Sequence, residues 1–549
     1  MHLFEGITRD DAGRAVIDPD QHWREMVRRH GPERAAALAQ GEFAVAFSLD
    51  DGSVFMAVDR FAVRTLCYTV HAGTLSFSAR ADTLGKAVGA SIDLQALYDY
   101  LYFHVIPSPR TVFQGVRRLP AGHFAIWRDG QLEVRSYWRP DFAGSATRAS
   151  LAPLQEEFHG LLMRAVEQEL DASRPACFLS GGTDSSTIAG MVGRVAGTPA
   201  STYSIGFEAE GYDEMSYARI AARHFGADHH EYYVTPADVA RSLADVAAHY
   251  DQPFGNSSAL PAFYCARMAK DGGVTRLLAG DGGDELFGGN TRYAKQRVFG
   301  VHDDLPGSIK SVVDPLFDNR FTAAIPGVRK VTSYVRQAKV PMPDRMQTYN
   351  LLHYLGQAHI LTPAFLRCVD PDRPRREQRE VWLQAKNADL LERQLAFDWR
   401  YTLAECDLPK VCGTAQMAQV AVGFPMLNRA LIDFSMRLPS RYKLRGLSLR
   451  WFFKKALRGF LPEEILAKKK HGFGLPFGVW VLRHQGLNAL AHESLSSLAD
   501  RGVLQASFVK PLMETRLAEH PGYFGEMVWI LTVMEQWLRH HAPGFRVIS

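Results

Sequence analysis

Along the first 140 or so residues the apolar positions come in short runs, not at helical spacing. Residues 41–49 and 54–58 are apolar-rich and are separated by Asp50-Asp51-Gly52. Residues 66–70 and 74–78 are joined through His71-Ala72-Gly73, a hairpin signal. Ile106-Pro107-Ser108-Pro109 and Leu119-Pro120-Ala121-Gly122 add further turns. This pattern predicts strands and turns more than helices, and so a β-rich first domain over residues 1–145. A small-residue stretch at 143–147 reads as a linker, which opens a second domain over 150–549.

Beyond the linker the period changes. Leu154, Phe158, Leu161, Leu162, Ala165, Val166 and Leu170 recur at helical spacing, so an amphipathic helix is expected first. Apolar runs at 176–179, 202–207, 232–234 and 274–279 then alternate with helical segments. That alternation predicts an α/β fold, a parallel sheet covered on both faces. Ligands of such sheets sit at the carboxyl ends of the strands. From about residue 290 onward the pattern is mostly helical.

Composition narrows the function only by exclusion. In 549 residues, 63 basic and 59 acidic side chains leave a net charge of +4, which suits neither a nucleic-acid coat nor a membrane surface. Six scattered cysteines form no CxxC pair, as in a reducing compartment. Met1-His2-Leu3-Phe4-Glu5 is no secretory leader, and the apolar run 527–534 is too short to span a bilayer. A cytoplasmic protein is expected, with small-molecule or peptide substrates and no nucleic-acid or membrane partner. The oligomeric state stays open, a homodimer included.

The chemistry concentrates in two loops. Ser180-Gly181-Gly182-Thr183-Asp184-Ser185-Ser186 follows a predicted strand and opens a helix. Glycines allow close backbone approach, and free amides at a helix N-terminus favour an anion. An acid in such a cradle makes sense if a metal ion bridges it; a glycine-rich helix cap is the bland alternative. A second strand-end loop, Gly280-Asp281-Gly282-Gly283-Asp284, supplies a partner carboxylate. Asp184 and Asp284 would suit magnesium, which takes few protein carboxylates and fills its shell with phosphate oxygens and water.

These residues resemble a known family. The first loop looks like the SGGxDS pyrophosphate loop of the N-type ATP pyrophosphatases, and with the second it resembles the synthetase domain of asparagine synthetases. Asp251-Gln252-Pro253-Phe254 and Lys470-His471-Gly472-Phe473-Gly474-Leu475-Pro476 agree with that pattern. The resemblance implies ATP and Mg2+ as cofactors and an AMP-forming ligase that couples a carboxylate to an amine. It implies nucleotide contacts from Leu179, Ser180, Gly181, Gly182, Asp184, Ser185, Ser186, Ile205, Ala279 and Gly280. Magnesium would sit on Asp184 and Asp284, while Asp281 and Lys470 would carry catalysis.

The chain departs from the family at two places. Glutamine-using members begin their mature chain with a cysteine, whereas position 2 is His2 and no cysteine precedes Cys67. A degenerate amidotransferase-like domain without glutaminase activity is therefore expected, as in β-lactam synthetases and lasso-peptide cyclases. Lys410-Val411-Cys412-Gly413 and the segment ending in Asn428 lack charges that the family usually carries, which predicts an altered acceptor site. An ammonia-fed asparagine synthetase, an enzyme amidating a sugar or other metabolite, and a non-catalytic scaffold are the alternatives.

Overall fold

The computed structural model describes residues 2–10, 12–142, 150–171, 173–303, 305–317, 329–469 and 474–548. The expected linker at 143–147 lies outside the described residues.

Two antiparallel sheets come first. Strands β1 (His2–Arg9), β2 (Gln40–Ser48), β3 (Val54–Val58), β7 (His123–Arg128) and β8 (Gln131–Ser136) form a sheet in the order β1-β2-β3-β7-β8. A smaller sheet runs β5 (Thr74–Ser78), β4 (Cys67–His71), β6 (Val116–Arg118). β2 is buried on both faces: Phe43, Val45 and Phe47 pack with Trp23 and Val27 of the helix Pro19–His30, while Ala44 and Ala46 pack with Leu66 and Tyr68. Two covered faces explain why this strand reads as one apolar run without alternation.

The first part is β-rich as expected, with helices at Pro19–His30, Pro32–Leu38, Ala81–Ala87 and Leu94–Phe103 set among its strands. Pro19–His30 buries only Trp23 and Val27, so its charged remainder hides the helical period. Leu94–Phe103 packs into a core shared with the C-terminal helix Pro521–His541, where Tyr100 Oη donates to the Ile530 carbonyl at 2.7 Å.

The second sheet system is parallel throughout, in the order β11 (Asp228–Val234), β10 (Ser201–Phe207), β9 (Ala176–Phe178), β12 (Arg276–Leu278), β13 (Ala421–Gly423). Four of these strands lie where the apolar runs predicted them. β13 has three residues and gains its identity only by pairing with β12. The expected amphipathic helix is Leu151–Glu169, burying Leu154, Phe158, Leu162, Ala165 and Val166. The order reverses between β9 and β12, and at such a switch point the loops leaving the carboxyl ends diverge and open a crevice. Among the described residues no helix is long and apolar enough to cross a membrane.

Where the β-rich part meets this sheet, charges are buried. Glu169 accepts from Arg9 at 2.8 Å and from Arg276, and the Glu42 carboxylate lies 3.6 Å from Arg64. Burial first, then repulsion from Glu169, raises the Glu42 pKa from 4.5 to about 8, with Arg64 opposing. A carboxyl raised on folding stabilises the fold while protonated in both states, and that contribution is lost as pH rises through the folded pKa. The melting temperature should therefore fall between pH 4.5 and about 8 on this account. Glu42→Gln is expected to flatten that slope in melting curves and to stabilise the protein at about pH 8.5 while changing it little at about pH 5. Equal loss of stability at both values would mean that Glu42 acts as a charged partner.

Candidate active site

Both loops leave the sheet at the switch point. After β9 the chain turns through Gly181, whose φ of +67° is left-handed and where a Cβ would lie 2.4 Å from the Ala218 amide nitrogen. The helix Thr183–Ala196 follows, with Gly182 as its cap. Ser185 Oγ braces the turn, 3.1 Å from the donating Ser180 N–H and 2.9 Å from Ser180 Oγ. After β12, Gly282 (φ +98°) turns the chain into the short helix Gly283–Phe287.

The loops touch. A Cβ on Gly280 would lie 2.8 Å from the Asp184 carbonyl carbon, and one on Gly283 would lie 2.5 Å from Asp184 Cγ. Asp184 and Asp284 converge on one cation, the Arg450 guanidinium. Its Nη1 donates to Asp184 at 2.9 Å, and its Nη2 pairs with Asp284. No sequence motif marked Arg450. The signal available was an arginine directly ahead of Trp451-Phe452-Phe453, where a helix begins.

A wall formed by Ser180, Asp184 and Ser185 separates two cavities. One, of about 840 Å³, is lined by Gly182, Glu214 and the basic side chains Arg450, Lys454, Lys455, Arg458, Lys468 and Lys469. Lys468 reaches the first loop itself: its Nζ donates to the Gly181 carbonyl at 3.3 Å and pairs with Glu214 at 3.0 Å. Sequence reasoning favoured Lys470 over its neighbours; Lys470 lies outside the described residues. Such a basic hollow beside free helix-start amides favours a polyphosphate.

The other cavity, of about 560 Å³, is lined by Leu179, Ile205, Gly280, Asp281 and Asp284, with Phe178 and Ser204 beside them. Opposite these stand Cys406, Asp407 and Lys410. A π-helical stretch, Trp399–Asp407, passes here into the helix Leu408–Met417, and Trp399 Nε1 donates to the Glu285 carbonyl at 2.9 Å, tying that stretch to the second loop. Lys410 Nζ sits 3.3 Å from Asp407 and 3.6 Å from Asp281. Burial raises the Asp281 pKa despite Lys410, and the two carboxylates hold Lys410 charged against burial. Three predicted nucleotide residues line neither cavity: Gly181 offers its carbonyl to Lys468, Ala279 is buried with its N–H on Gly423, and Ser186 is buried within its helix.

The altered acceptor segment straddles two cavities. Lys410 and Val411 line the one holding Asp281, while Cys412 and Gly413 face a separate cavity of about 140 Å³ shared with Arg64, His249 and Glu405 of the contact between the β-rich part and the sheet. Asn428 Nδ2 donates to Gln168 at 2.7 Å, and its Oδ1 accepts from the Ala430 N–H at 3.0 Å.

A switch-point crevice with two touching glycine loops, a basic hollow and an acid–lysine cluster defines a nucleotide-binding α/β enzyme joined to a β-rich partner. Residues 157–539 match the family described as asparagine synthase, and residues 25–138 match the glutamine amidotransferase domain. The chain belongs to the asparagine synthase family, carbon–nitrogen ligases that use ATP and release AMP. Asparagine synthetase (glutamine-hydrolyzing) 1 of Bacillus subtilis (strain 168) is 24% identical over 93% of this chain and 79% of its own length. Asparagine synthetase (glutamine-hydrolyzing) 3 of the same strain is 23% identical over 76% of this chain and 64% of its own. The amidase chry2 of Gibberella zeae is 28% identical over 46% of this chain and 40% of its own.

Proposed function

We propose that this chain activates a carboxylate as an acyl-adenylate and joins it to an amine, with the division between its two domains falling near residues 145–150. The contact of the two loops at the switch point carries this reading. Leu179, Ile205 and the Gly280 backbone offer a slot for a purine, and the Ser180 to Ser185 turn with Lys468 offers donors to a leaving pyrophosphate. Asp184 and Asp284 would hold magnesium. They are hard oxygen ligands meeting at one point, and that point already stabilises a cation. When bound, the ion would neutralise charge on the departing phosphates. Asp281 and Lys410 lie on the side where acid and amine would meet, and the lysine can stabilise the anionic centre formed during amine attack. Lys470 keeps its proposed role at the α-phosphate through the family resemblance.

Glutamine is not the proposed nitrogen source. The buried Cys67 thiol in β4 has its pKa raised by burial, which suits packing and not attack. The amine would then belong to a natural-product or peptide substrate, as in β-lactam synthetases and lasso-peptide cyclases. Ammonia as the nucleophile is the second reading; the relatives are named as glutamine-hydrolyzing asparagine synthetases, which favours ammonia over a substrate amine.

Pyrophosphate exchange into ATP, screened over carboxylates, tests the ligase; silence with every acid would refute it. Product analysis with ammonia against amines separates the two donors. Cys67→Ala is expected to leave exchange within about twofold of wild type, and glutamine should release no glutamate from the purified protein. Exchange lost beyond that margin would overturn the first statement; glutamate release by the wild type would overturn the second, and its disappearance in the variant would assign it to Cys67.

A further inference from the structure

Arg450 belongs to neither loop, yet its guanidinium contacts both carboxylates. It is held there with care. Its backbone is left-handed at φ +52°, a conformation unfavourable for an arginine. Its N–H donates to the Gly288 carbonyl at 3.1 Å, and its carbonyl accepts from Lys454 at 2.9 Å at the start of the helix Trp451–Ala456. The side chain is 7% exposed. Even the second loop is cut to fit it, since a Cβ on Gly289 would lie 2.2 Å from Arg450 Nε.

Resting on the nucleotide-site reading above, we infer that Arg450 is a positioning residue that acts as a stand-in for the metal. Its guanidinium occupies the point between Asp184 and Asp284, so a divalent cation enters only together with a polyphosphate that draws the guanidinium away. Two carboxylates and one guanidinium leave a single negative charge. A dication added beside the guanidinium would put two cations in one shielded space, where repulsion is far stronger than in water. Arg450 also lines the basic cavity with Lys454, Lys455 and Lys468, so an incoming polyphosphate gives the fork a bidentate partner without leaving it buried and unpaired. Metal and polyphosphate binding are thereby linked through one side chain, and the linkage is reciprocal.

Binding of Mn2+ to the whole chain, followed by electron paramagnetic resonance, reads this without turnover. Wild type is expected to bind Mn2+ weakly alone and at least about tenfold more tightly with pyrophosphate or an ATP analogue. Arg450→Met is expected to bind Mn2+ alone at least about tenfold more tightly than wild type does, a gain that loss of structure would not produce. Arg450→Lys, which keeps charge but loses the fork, should fall between them. Wild type binding Mn2+ alone as tightly as Arg450→Met, or both variants excluding it as wild type does, overturns the inference. The ligase reading fails separately: no acid may drive exchange while the Mn2+ pattern holds, and the reverse outcome removes only the role of Arg450.

Discussion

Asp184→Ala is expected to lower carboxylate-dependent pyrophosphate exchange by at least about a thousandfold, the scale on which losing a charge-stabilising group at a phosphoryl centre acts. Asp184 stands in the first turn of the Thr183–Ala196 helix, between the two cavities and against the second loop. Among the described residues no group of three or more histidine, cysteine, aspartate or glutamate side chains is placed to hold a metal, and Asp184 with Asp284 is the pair proposed for the ion. The substitution also strips Arg450 of one partner, and a buried charge left half-paired costs stability of about 3 kcal/mol or more. Melting curves must therefore accompany the rates. A folded Asp184→Ala protein that keeps exchange within tenfold of wild type would break the proposed site.

Much of this site was legible because its chemistry sits in contiguous turns. Ser180 to Ser185 and Gly280 to Asp284 could be read from glycines and acids following apolar runs, and those runs became β9 and β12. What escaped notice was supplied by packing across the chain. Arg450 lies 266 positions from Asp184, and Lys410 reaches Asp281 only because a π-helical stretch precedes its helix. A local pattern carries no trace of such pairings. The helix Pro19–His30 escaped for a different reason: two buried side chains in twelve make too weak a period to read. Although Lys410 and Val411 border the cavity holding Asp281, Cys412 and Asn428 themselves line other contacts. Both belong to contacts with the β-rich part or the helix Leu151–Glu169.

Gly280→Ala should lower exchange by about a hundredfold or more, and it tests the convergence of the loops without altering any charged group. The φ of Gly280 is not left-handed, so its backbone accepts alanine. The obstacle is the other loop. The added methyl would lie 2.8 Å from both the Asp184 carbonyl carbon and the Ser185 amide nitrogen, and backbone cannot rotate aside as a side-chain tip would. Relief requires the two strand ends to part by several tenths of an ångström or more, carrying Asp184 away from Asp284. Misplacement approaching 1 Å at a reacting centre costs about a hundredfold, and exchange is expected to fall by at least that. The strands themselves are held by their ladder and covering helices, so the melting temperature should drop only by a few degrees, about 1–3 kcal/mol of overpacking in a chain of this size. Gly307→Ala, where nothing lies within 4 Å of the new methyl, serves as the control and should leave both properties unchanged. If Gly280→Ala exchanges pyrophosphate as that control does, the loops do not need to meet for function, and the crevice between β9 and β12 is not where ATP is cleaved.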